Sequence, residues 1–546
     1  MGLTATTLLV AAGTLGGGEP PRVHAVAFVN DPLSHGAVGD GLLSLNEAIL
    51  LHNGTLPLAA LSPAELAQLS LIPGTGATTD VTWIDIDANN TPLITIQQDL
   101  ATILDTPFGL LIKGFGGRPI LDFSTPGLTR GMLAPANSLA LQDLEFVGGL
   151  YGVDVVQTDA SGQAGLTLQN VHFVQQATFG VRVRATTANG VGRMIVEDCE
   201  FAGCPQAIVH DETGTGRTTI VEIHGLHVRG GLVGFDAALG NGGSTRFTFD
   251  QVDIEASTLG LRITRPANAD RPALIEGDYV RVRAADAADF ACHATAWTWA
   301  VLRGWDVQAG PGGDALRLGA PGNALFGEVG ELTAVGDVTI AAGGASQPLA
   351  LTNHRCAQGN VILATSPAQA FSLTECRFDN CAVATAGSAP IVATGCMFVG
   401  GSLVGTVAAP LQLTACFAPT PGQHVLATAP LPAAQLGAMS ITPENVLVGG
   451  TVTFQADLPA GLLGLFVLGL TPDAPLLTGP FRVYVDPVQN VLWPGAFTLQ
   501  QNTVWSIPST AQFLGADLTV QMVVLPTAGT QAPWLQMTPG RRFVLR

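Results

Sequence analysis

One phrase recurs along this chain between residues 141 and 417: an apolar residue, two mostly polar ones, an apolar residue or cysteine, one polar residue, then another apolar one. It reads LQDLEF at 141–146, LQNVHF at 168–173, VEDCEF at 196–201, IHGLHV at 223–228 and FDQVDI at 249–254. Weaker copies begin at Ile275, Leu302, Phe326 and Leu351, and clear ones return as LTECRF at 373–378, ATGCMF at 393–398 and LTACF at 413–417. The spacing runs from 28 down to 20 residues. A self-similar period of this length, with strand-like alternation and no helical stripe, builds a solenoid whose coils stack about 4.8 Å apart.

The third position of the phrase carries the corner. It is Asp143, Asn170, Asp198, Gly225, Gly277, Gly304, Asn353 and Gly395 in eight of the twelve copies. Those types tolerate the left-handed backbone that a sharp bend between two short strands requires. The expected fold is therefore all-β: a right-handed parallel β-helix over residues 91–430, its hand set by the chirality of parallel crossovers. Leu141, Leu168, Val196, Ile223 and Phe249 should stack in one inward column. Composition agrees, since 66 glycines, 35 prolines and only 12% charged residues suit buried strands joined by tight turns and exclude disorder.

The phrase stops after Pro430, and residues 441–546 read as alternating strands between Pro and Gly turns, a small C-terminal β-sandwich. Residues 26–90 should hold an N-terminal cap and the first coils, because the first coil of a solenoid must be shielded from edge pairing. There, residues 26–29 form a strand and Ser44 opens a capped helix with Glu47 in its first turn. Residues 1–25 are the expected export segment, an apolar run at 3–15 with cleavage after Ala25 or nearer Ala12. No later stretch is apolar enough to span a membrane. A net charge of -19, with Lys113 the single lysine, leaves no basic stripe for nucleic acid.

Residues 43–48, Leu-Ser-Leu-Asn-Glu-Ala, resemble the Cys-Ser-Leu-Arg-Glu-Ala cap motif of bacterial secreted and surface β-helix proteins, with the cysteine and arginine replaced. The stretches at 93–96, 110–114 and 120–122 resemble that family's first coils. The resemblance implies the fold and export to the extracellular space or cell surface. It implies no activity, because the family has no single one.

Cys199, Cys376, Cys396 and Cys416 fall in the inward register that Leu144 and Val171 occupy elsewhere. They read as buried apolar residues, with a disulfide between neighbouring coils such as Cys376 and Cys396 as the alternative. Flanking the corner, two outward columns run through Glu145, His172, Glu200, His227, Asp253 and through Gln142, Gln169, Glu197, His224, Asp250, Glu276. Glu197, Glu200, His224, His227, Asp250 and Asp253 are thus the candidate ligand or ion ridge, able to hold calcium or to serve acid and base chemistry on a polysaccharide. The same columns also fit a solvated wall. Trp297, Trp299 and Trp305 are a candidate sugar platform or wall packing. Polygalacturonase signatures, phosphate loops, zinc-protease pairs and nucleophile elbows are missing. These readings lead to an exported adhesion or structural β-helix that binds carbohydrate or a surface partner without chemistry of its own. No cofactor is required, and calcium is the ion to test. A polysaccharide lyase or glycoside hydrolase is the competing class.

Overall fold

The structure, a computed structural model, describes residues 23–429 and the strands between 438 and 544, apart from short stretches such as 72–78, 158–162, 186–190, 342–348 and 366–370. Beyond residue 457 it describes mainly backbone. The expected export segment lies, through residue 22, outside the described residues. The chain divides into two compact units, residues 1–263 and 264–546.

In the first unit each phrase folds as two strand segments meeting at a bend. Leu139–Val147 pairs in parallel with Gln163–Val174, and Val191–Glu197 with Glu200–Ala202, Thr218–His224 with His227–Arg229, and Thr245–Glu255 follow in the same register. The bend falls on Asp143, Asn170, Asp198, Gly225 and Gln251, all with φ between 51° and 66°. One left-handed residue turns the chain sharply, so the apolar residues on both sides of it point inward. Leu141, Leu168, Val196, Ile223 and Phe249 stand opposite one another and are at most 1% exposed. The closing aromatic residues Phe146, Phe173 and Phe201 stack at 5.0 and 4.8 Å between ring centroids. A second parallel sheet runs through Met132–Pro135, Tyr151–Gln157, Phe179–Ala185, Gln206–Glu212 and Val233–Ala238, and buries Val153, Val181, Ile208 and Phe235. Coils that each add one parallel strand to both sheets make a β-helix.

The cap covers the start of this array. Strand Val23–Val29 pairs in parallel with Thr79–Asp87 and antiparallel with Leu69–Leu71, so its outer edge is occupied. Helix Leu45–His52 begins in a capping box: the Ser44 hydroxyl accepts from the Glu47 amide at 3.2 Å, and the Glu47 carboxylate accepts from the Ser44 amide at 2.9 Å. Asn46, in the arginine position of the cap motif, accepts from the Ala101 amide at 2.8 Å and ties the helix to the following coil.

The second unit continues with parallel strands from Ala273–Ala284 to Val425–Ala429. From Ala438–Thr442 onward the described strands pair antiparallel, in one sheet with Thr451–Asp457 and Asn502–Ser506 and in another built on Leu462–Leu470, Val491–Thr498 and Asp517–Pro526. Two weak copies of the phrase were placed too early. The corners fall on Tyr279 and Glu331, with φ of 56° and 54°, rather than on Gly277 and Glu328, the third positions of the copies that begin at Ile275 and Phe326. Gly277 lies within a strand, where a Cβ would stand 2.4 Å from the Trp305 ring. A glycine there serves close packing, not a bend.

Candidate functional site

The corner ridge forms as the phrase implies. His172 stands beside Glu145 and Glu200, Glu200 beside His227, and His227 beside Asp253; in the companion column Glu197 stands beside His224, and His224 beside Asp250. The six candidate residues therefore share one surface, but within the set the ion pair seen among the described residues is that of His224 with Asp250, while Glu200 meets His172 and Arg229 outside the set. His172 Nε2 lies 3.8 Å from Glu200 Oε2, His224 Nδ1 lies 3.6 Å from Asp250 Oδ2, and Arg229 Nε lies 3.9 Å from Glu200 Oε1. Among the described residues no three His, Cys, Asp or Glu side chains gather as a metal centre requires. At its upper end the ridge is tied down by Arg118, which donates to Asn170 Oδ1 and meets His172 Nδ1 at 2.8 Å, while Asn170 donates to Asp143 Oδ1 at 2.6 Å. Burial and the Arg118 charge hold His172 below the ordinary histidine range, so its Nδ1 accepts and its proton sits on Nε2.

The tryptophans do not form one platform. Trp305 is 1% exposed, occupies the inward column behind its corner, and donates to the Gly277 carbonyl at 2.9 Å. A buried indole that has found its hydrogen bond is core. Trp299 is 38% exposed, and the side chain of Trp297 lies outside the described residues. The cysteines of the phrase are buried free thiols. Burial pushes the Cys199 thiol up to about 12 and the Cys396 thiol well above its ordinary value.

A second constellation, on the outer face of the second sheet of the first unit, escaped the phrase alignment. Asp154, Arg182, Val209 and Asp236 stand in one outward column, and Arg184 pairs with Asp211 in the next. The Asp154 carboxylate is buried and accepts from both arginines, at 2.7 Å from each Nη2 and 3.2 Å from each Nε. Arg182 also lies 4.4 Å above the Phe179 ring, which stacks on Tyr151 at 5.1 Å. Further along, Arg262 clamps Asp236 with two bonds, Nε to Oδ1 at 2.8 Å and Nη2 to Oδ2 at 2.5 Å. Asp211 is the odd member: no ion pair or hydrogen bond of its carboxyl is seen among the described residues, and burial pushes its carboxyl above the usual range despite the nearby Arg182 and Arg184. The signal in the sequence was the spacing of Asp154, Asp211 and Asp236 against Arg182, Arg184 and Arg262 at coil intervals. It was hidden because the phrase marks one corner of the coil and this sheet lies beyond it.

No family model matches the sequence, and no curated protein does. The cap resemblance thus stands on residues 43–48 and the first coils alone. Among solved structures the chain is similar to the full-length tailspike protein 2 of Escherichia coli O157:H7 bacteriophage CAB120, at 10% identity and a TM-score of 0.21, over 85% of this chain and 64% of that one. The chain spans less than two thirds of that protein's length, and the likeness carries neither a residue nor an activity across. No helix among the described residues is long and apolar enough to cross a membrane.

Proposed function

We propose that this chain is an exported β-helix protein of the cell surface or extracellular space that presents a rigid outer face to a polysaccharide or surface partner. The observation that carries the reading is the second-sheet face, where Asp154 with Arg182 and Arg184, and Asp236 with Arg262, form two oriented carboxylate–guanidinium forks, each bridging adjacent coils, with the strand of Val209 and Asp211 between them. Such forks offer fixed donors and acceptors to adjacent hydroxyls, and a site that is already ordered loses little entropy on binding. The two forks lie along one sheet face across five coils, a span that suits a long chain better than a small molecule. Three carboxylates face three guanidiniums, so the face has no net charge to select a polyanion. The test is a glycan array probed with the full chain and with Arg262→Gln. Binding by the parent, weakened in the variant, is expected; no binding to any glycan would overturn the reading.

A further inference from the structure

In the second unit the strand segments just past the corner, Thr333–Val335, Arg355–Ala357, Arg377–Asp379 and Met397–Val399, stack in parallel register. One outward column therefore reads Thr333, Arg355, Arg377, Met397, and two guanidinium side chains leave adjacent coils about 4.8 Å apart. Like charges set opposite one another in a sheet repel. A single carboxylate, Asp379, answers both: Arg377 donates from Nε to each of its oxygens at 2.8 Å, and Arg355 Nε stands 3.4 Å from Oδ2. Arg355 can reach across the coil spacing because the residue opposite Asp379 on its own coil is Ala357, which carries only a methyl group. Two cations thus share one anion, and one positive charge is left in excess.

The contacts to Asp379 run through Nε and leave the terminal nitrogens over. A guanidinium has N–H donors on all three nitrogens, and among the described residues the terminal nitrogens of Arg355 and Arg377 have no acceptor. The two side chains are 37% and 25% exposed, so a group arriving from solvent can reach those donors. Terminal N–H groups of paired guanidiniums match the two oxygens of a carboxylate. The single surplus charge suits a monoanion, whereas a dianion would bring a second charge against Asp379. The net charge of -19 opposes polyanions at a distance, but salt screens it beyond about 8–10 Å and leaves the local pair to decide the contact.

We propose that Arg355 and Arg377 bind the carboxylate of a uronate residue in an acidic polysaccharide. This deepens the reading of the chain as a polysaccharide binder and rests on it: the second unit supplies the charge selection that the neutral face of the first unit lacks. Alongside the glycan array, the full chain is titrated by calorimetry with a galacturonic-acid hexamer, with its carboxyl-reduced counterpart and with a sulfated galactan hexamer. The uronate hexamer should bind about tenfold more tightly than the reduced one, and the double variant Arg355→Gln, Arg377→Gln should lose that advantage. Asp379→Asn removes the competing charge and keeps the shape, so it should strengthen uronate binding several-fold, a gain that a damaged fold does not produce. Equal affinity of the parent for the uronate and reduced hexamers, an advantage that survives in the double variant, or weaker uronate binding in Asp379→Asn would each overturn the inference. If the array still shows binding of other glycans, the polysaccharide reading stands without it; no binding to any glycan would overturn both. Equal or tighter binding of the sulfated hexamer would overturn the assignment to a carboxylate.

Discussion

The inward column just behind the corner is filled differently in the two units. In the first it holds Leu144, Val171, Cys199, Leu226 and Val252; in the second it holds Trp305, Leu332, His354, Cys376, Cys396 and Cys416, all buried. The parallel register is the same in both. A solenoid core thus demands that a side chain leave water and stack on its neighbours, and it accepts an indole, an imidazole or a thiol on those terms. What differs is sensitivity. The first unit's aliphatic column, with the stacked phenylalanines two residues further along each coil, responds to volume, whereas a column containing His354 responds to pH.

The largest effect is expected where the first unit relies on volume. Phe173 is sandwiched between Phe146 and Phe201, so Phe173→Ala should cost about 3–5 kcal/mol in urea unfolding. A loss as small as that from Cys396→Ala would mean that the aromatic ladder is not what stabilises the first unit.

Next comes acid. His354 is fully buried, its Nε2 donates to the Val329 carbonyl at 2.7 Å, and burial lowers it from 6.5 to about 4. Above pH 6.5 the folded and unfolded chains both hold it neutral. As pH falls from 6.5 towards 4 the unfolded chain takes up a proton that the folded one refuses, so stability is lost across that window, by about 3 kcal/mol in all. The stability difference between the parent and His354→Leu, followed against pH by urea unfolding, should change by that amount. A constant difference would show that the second unit's column is no more pH-sensitive than the first.

A smaller effect is expected at Gly277. An added methyl would meet the Trp305 ring, and Gly277→Ala should destabilise by about 1–3 kcal/mol through overpacking. The same change at the corner Gly225, where φ is 66° and an added methyl would meet the Asp198 carboxylate, should cost about 1–2 kcal/mol with backbone strain as a part that no trimming of a neighbour removes. Restoring stability by trimming the neighbouring ring, as in Trp305→Leu, should work at Gly277 and fail at Gly225.

The smallest effect is expected from thiol reagents. Cys199 in the first unit and Cys376 and Cys396 in the second are buried free thiols, and inaccessible thiols react slowly. Native protein should show negligible labelling at these three residues, and denatured protein full labelling. Cys376 or Cys396 left unlabelled in denaturant until a reductant is added would reveal a disulfide between their coils and set the second unit apart.

The phrase by itself determined the coil, the inward register of Leu141 through Phe249 and the burial of the cysteines, because alternation and a left-handed corner are properties of a few neighbouring residues. The capped helix at Ser44 was legible for the same reason. The two misplaced corners were not, since Gly277 satisfies the local rule for a bend and only the packing of Trp305 against it shows why it is there. Nor could the tryptophans be assigned, because whether Trp299 in its strand and Trp305 just past the corner face outward or inward is set by the coil and not by the residue type. The face built from Asp154, Arg182, Arg184, Asp211, Asp236 and Arg262 was decided by tertiary structure alone. Its members are more than twenty residues apart from coil to coil, and only the stacking of coils converts that separation into hydrogen-bonding distance.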